Sequence, residues 1–79
     1  MTRVNSYDKN AKLPKNGSIW VWELDSPYAR AIIEVVETIW NGEEWWVRTK
    51  DLLPMPFHPN ETTLNDLSRF WQACTLVRK

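Results

Sequence analysis

The side chains able to do covalent or proton-transfer chemistry are few in this chain and are spaced wrongly for it. The single cysteine, Cys74, follows Leu64, Leu67, Phe70 and Trp71 at helical spacing. That stripe reads as core, so its thiol is expected to be buried and inert. The single histidine, His58, stands between Phe57 and Pro59 with no cysteine or nucleophile motif beside it, and a general base needs a partner within hydrogen-bond reach. One His and one Cys do not make a zinc site of the usual kind. Glu43 and Glu44 are neighbours and on a strand face opposite sides; Glu34 and Glu37 do the same unless a bulge intervenes. Gly17 and Gly42 are the only glycines and both sit in turn signals, which excludes a phosphate-cradling loop. The sequence therefore predicts no enzyme, no metal and no cofactor.

What the chain does carry is indole. Six of its 79 residues are tryptophan, and Trp40, Trp45 and Trp46 bracket the segment Asn41-Gly42-Glu43-Glu44. In a domain this small, large aromatic side chains are first of all core mass. The exception turns on facing. Asn-Gly between apolar, β-favouring segments predicts a two-residue type I′ turn, whose register pairs Trp40 with Glu43, Thr38 with Trp45 and Val36 with Val47. This puts Val36, Trp45 and Val47 inside and Trp46 outside, among Glu37, Glu44 and Arg48. In the preceding strand, Ile19 and Val21 are taken as inward-facing, which turns Trp20 and Trp22 outward beside Trp46. The candidate binding residues are thus Trp46, Arg48, Glu44, Trp20 and Trp22. Trp and Arg dominate interface hot spots, and three exposed indoles on one face would form the kind of patch that monomers avoid unless it has a use. The alternative expectation is that the Leu64–Trp71 helix or the Leu52–Phe57 crossover covers at least one of the three and makes a second small core.

The elements that position these residues follow from pattern. Ser18–Leu24 alternates as a strand, and Asp25-Ser26-Pro27 is a turn. Tyr28–Trp40 is a strand too long to stay flat, so a bulge is expected near Ile32–Glu34. Glu43–Lys50 returns after the turn. Asp51–Pro59, with Pro54, Pro56 and Pro59, reads as a polyproline-like crossover. Thr63 is expected to cap a helix of about three turns through Cys74, and Thr75–Lys79 to return as a closing strand beside the first. Residues 1–16 form a basic, partly mobile N-terminal segment, and residues 17–79 a single small domain. The fold class is mainly β: a strongly bent antiparallel sheet or small barrel with one short C-terminal helix before its last strand.

Net charge is zero but unevenly distributed: the stretch 1–16 sums to +3, 17–66 to −6 and 67–79 to +3. The acidic middle argues against a duplex-DNA binder, which carries a basic stripe. No apolar run opens the chain or approaches membrane-spanning length, which gives a cytoplasmic, non-membrane expectation.

The strand after Gly17, the long bent strand, the tight hairpin and the terminal helix-strand together resemble an SH3-like small barrel. The segments Trp40-Asn41-Gly42-Glu43-Glu44-Trp45-Trp46-Val47 and Asn65-Asp66-Leu67-Ser68-Arg69-Phe70-Trp71 are also similar to short uncharacterised bacteriophage-encoded proteins. The resemblance covers residues 17–77 at most. An Ala-Leu-Tyr-Asp-Tyr-type opening is missing, so proline-rich peptide binding does not carry over. It implies a small barrel of phage type acting in the host cytoplasm, with no assigned chemistry. Two functions are weighed. The first is a non-enzymatic module whose outer Trp/Arg face meets a protein partner, either a host factor or another copy of itself. The second is a single-stranded nucleic-acid binder that stacks bases on exposed indoles, with Arg48, Lys50, Arg69, Arg78 and Lys79 tracking the backbone.

Overall fold

A computed structural model of the chain describes residues 6–23, 30–53 and 60–78. Five strands and one helix follow in the order β1 (Ile19–Glu23), β2 (Arg30–Trp40), β3 (Trp45–Leu53), β4 (Thr63–Asp66), α1 (Leu67–Ala73) and β5 (Cys74–Arg78). The strands make one antiparallel sheet in the spatial order β4-β3-β2-β1-β5. α1 therefore carries the chain from one edge of the sheet to the other. Its seven residues span about 10 Å, whereas five flat strands would separate the edges by about 19 Å. The sheet must curl for the connection to be made. It is not closed, since β4 and β5 each have one strand neighbour. The mainly-β expectation and the last strand beside the first both hold.

The core lies on the concave side, where Trp20, Trp22, Ile33, Val35, Val47, Leu67 and Phe70 are buried. Trp20 meets Phe70 edge-on at 5.0 Å and Trp71 at 5.4 Å, a geometry that suits the ring quadrupoles. Residues 6–16 add a strap to this side. Ala11 and Leu13 pack on the cluster, the Trp45 indole N–H donates to the Asp8 carbonyl at 3.0 Å, and that of Trp71 donates to the Lys12 carbonyl at 3.2 Å. The strap ends in the turn Lys15–Ser18, closed by the Ser18 N–H on the Lys15 carbonyl, with Gly17 at φ +84°.

Four expectations are corrected. The hairpin loop has four residues, not two: Trp40 pairs with Trp45. A type I′ turn needs positive φ at both central residues, but only Gly42 takes it, at +101°. Asn41 instead turns its side chain on the backbone, its Oδ1 accepting from the Glu43 and Glu44 N–H groups at 2.9 and 2.8 Å. Second, Val36 is not inside: besides the irregularity expected near Ile32–Glu34, β2 has an extra residue at Val36, between the Val35–Thr49 and Glu37–Arg48 pairs. Val36 is thus 37% exposed while Val35 is fully buried. A second register shift does fall between Ile32 and Ile33, where Leu53 and Asp51 are the partners and Leu52 is the extra residue on β3.

Third, β1 faces the other way: Trp20 and Trp22 are buried and Ile19 and Val21 half-buried on the opposite side. Both alternating sets are apolar, so the pattern alone does not choose. The indoles go inside because Phe70 and Trp71 offer edge contacts there and the buried Ser18 hydroxyl accepts the Trp20 N–H at 2.7 Å. Fourth, Thr63 opens a strand and not a helix. The helix is capped by Asp66, whose carboxylate accepts from the Arg69 N–H at 2.8 Å. Asn65 and Asp66 favour caps over helix interiors, and pairing with β3 keeps the segment 63–66 extended. The expected crossover over Pro54–Pro59 and the turn at 25–27 lie outside the described residues.

Candidate functional site: the outer face of β2 and β3

Lengthening the loop from two residues to four leaves the facing of β3 unchanged. From the loop as far as the Glu37–Arg48 pair the observed register is displaced by two positions from the expected one, and side chains on a strand repeat every two. Val47 and Thr49 are therefore buried, Trp45 packs on the core, and Trp46, Arg48 and Lys50 point to the other side. The expected assignment of Trp45 and Trp46 survives an incorrect turn.

On β2 the bulge matters more. Glu34 and Glu37 would face opposite ways on a regular strand, but the extra residue at Val36 brings both to the outer side. Three rungs then cross from β2 to β3: Ile39 opposite Trp46, Glu37 opposite Arg48, and Glu34 opposite Lys50. Arg48 Nε lies 3.3 Å from Glu37 Oε1, and its Nη1 donates to Thr62 Oγ1 at 2.9 Å. Lys50 Nζ lies 3.2 Å from Glu34 Oε1. The two carboxylates are each held by a cation, so they do not work as an acid–base pair. These exposed pairs contribute little to stability, about 0–1 kcal/mol each. Their effect is to hold opposite charges at fixed places on a half-apolar surface. Beside them, Trp46 is half-buried between its strand neighbours Ile39 and Asp66, and its indole N–H has no hydrogen-bond partner among the described residues. Ile19, Val21 and Ile32, half-buried, continue this face onto β1 and β2.

Of the five sequence candidates, the structure brings Trp46 and Arg48 together here. Glu44 lies at the end of the loop, its backbone engaged with Asn41, and not on a strand rung. Trp20 and Trp22, at 6% and 8% exposure, belong to the core. Glu37 is expected beside Trp46 and is found there; the Glu34–Lys50 rung is not foreseen, because the place of Glu34 on this side depends on the bulge at Val36, which no turn residue marks.

The concave side has a shallow depression of about 240 Å³, lined by Trp22, Ile33, Thr49, Asp51, Asn65 and Arg69 among others. The Arg69 guanidinium stands 5.8 Å from the Trp22 ring centre, a cation–π contact that caps the indole. Among the described side chains, the basic residues named for nucleic-acid binding do not form a stripe. Arg48 and Lys50 are tied to acids, Arg69 belongs to the other side, and Lys79 lies outside the described residues. Cys74 is partly buried, and burial pushes its thiol up to about 12. His58 lies outside the described residues, among which no cluster of metal-ligating side chains occurs. No described helix is long and apolar enough to cross a membrane. Comparison with family models, curated proteins and solved structures gives no match to this chain.

Proposed function

We propose that this chain is a non-enzymatic binding module of SH3-like barrel type that contacts a protein partner through the outer face of β2 and β3. The observation that carries the reading is Trp46 on that face, half-exposed beside Ile39 and next to the Glu37–Arg48 pair. Trp and Arg are the residues most enriched at binding hot spots, and an apolar centre edged by charge is the usual anatomy of an interface. The strand order β4-β3-β2-β1-β5, with a short helix before the last strand, supports the barrel-type reading. A thiol raised to about 12 and carboxylates held by cations support the non-enzymatic one. The place of action is the cytoplasm, that of the host under the phage-type reading.

The test compares wild type with Trp46→Ala on an affinity resin exposed to cell lysate. The variant is expected to keep its circular dichroism and unfolding midpoint and to lose a protein that wild type retains. Equal retention of the same proteins by both, together with self-association of the chain that is also unchanged by the substitution, would refute the reading.

A further inference from the structure

We propose that the partner of this face is a second copy of the chain, docked about a two-fold axis that runs parallel to the strands between β2 and β3. The inference rests on the reading of the outer face as a recognition surface and names its occupant. Each of the three rungs joins unlike residues: Ile39 with Trp46, Glu37 with Arg48, Glu34 with Lys50. A two-fold axis along the groove between the strands lays β3 of one copy over β2 of the other without changing height along the strand. Every residue is thereby set over its own rung partner's counterpart, so Trp46 covers Ile39, Arg48 covers Glu37 and Lys50 covers Glu34, twice over. Such an isologous contact closes on itself and stops at a dimer.

Charge complementarity selects this occupant. The rungs carry two acids and two bases, arranged with acids along β2 and bases along β3. A partner of uniform charge would be repelled by one of the columns, and like charges in contact are costly. A second copy in this orientation meets opposite charge at every position. The four side chains are 29–49% exposed, so each cation retains room to engage a second carboxylate. The bulge residue Val36, 37% exposed, adds apolar area next to Glu37. Face-to-face sheets pack about 30° apart because of their twist, so the fit is best at the central Glu37–Arg48 rung and loosens toward both ends.

The test is sedimentation equilibrium of the full chain, from low micromolar to millimolar concentration and at low and high salt. Wild type is expected to dimerise, more weakly in high salt. Glu37→Arg and Arg48→Glu are each expected to weaken the dimer by about tenfold or more, because each places like charges in contact at two positions. An equimolar mixture of the two variants is expected to regain the wild-type constant, since every contact between a Glu37→Arg copy and an Arg48→Glu copy again joins opposite charges. Trp46→Ser, checked for native circular dichroism, is expected to be monomeric without altering any charge. A wild type that stays monomeric throughout would overturn the second copy as occupant, while Trp46-dependent capture of another protein would leave the recognition face standing. A dimer indifferent to all three substitutions would place the contact elsewhere and remove both.

Discussion

At the scale of the residue, one hydroxyl helps to set how β1 faces. Ser18 is 2% exposed and its Oγ accepts the indole N–H of Trp20 inside the core, while its own hydroxyl donates to the Lys15 carbonyl. A buried donor stripped of its acceptor costs the full desolvation of that donor, about 1–3 kcal/mol. Ser18→Ala is therefore expected to lower stability by that amount in urea unfolding, although it removes only one atom. An unchanged midpoint would mean that the hydrogen bond does not help to hold the indole inside. Cys74 is a contrasting residue: its thiol, raised to about 12 by burial, is almost wholly protonated at neutral pH and has no thiolate with which to attack.

At the scale of the element, Asp66 joins the helix to the site. It pairs with Trp46 across β3 and β4 and caps α1 through the Arg69 N–H, with the Ser68 hydroxyl donating to the same Oδ1 at 2.6 Å. Burial pushes its pKa up, but the hydrogen bonds from Ser68 and Arg69 and the nearby Arg69 charge outweigh this and hold it below 3.8. A carboxylate depressed in the folded state adds stability that is present above the unfolded pKa and lost as pH falls through the folded one. Asn is as good an N-cap as Asp but does not titrate. The stability difference between wild type and Asp66→Asn is thus expected to be constant above about pH 5 and to shift against wild type as pH falls below 3.8. Urea midpoints from pH 2 to 7 measure it, and a difference independent of pH would contradict the assignment.

The same scale shows what was legible in the sequence. The existence and order of β1, β2, β3 and β5 follow from alternation and turn residues. Trp45 and Trp46 keep their faces because the loop error was an even number of residues. Val36 was misplaced because a bulge needs no special residue and a one-residue slip inverts every position beyond it. β1 was misread because Ile-Val and Trp-Trp are both apolar sets, and its facing depends on Ser18 and on Phe70 and Trp71, which are distant in sequence. β4 has the pattern of a helix because Leu64, Leu67, Phe70 and Trp71 keep a helical spacing even though Leu64 is 45% exposed; the cap at Asp66 overrides the period.

At the scale of the whole molecule, the two sides of the sheet differ in what they carry. The concave side is closed by α1 and by the strap 6–16, and the edge-to-face rings of Trp20, Phe70 and Trp71 form a core without a disulfide or metal among the described residues. The convex side carries a charge pattern that is neutral in sum and ordered in space. Nothing in stability requires those rungs, since exposed ion pairs add little. Their order is what recognition would need.

The most direct measurement is a dilution series followed by the backbone and indole N–H signals of the isotope-labelled chain. The account predicts concentration-dependent shifts at Trp46, Ile39, Glu37, Arg48, Glu34 and Lys50, with the indoles of Trp20 and Trp22 unmoved. Shifts gathered instead on α1 or β5, or a spectrum that does not change with concentration, would contradict it.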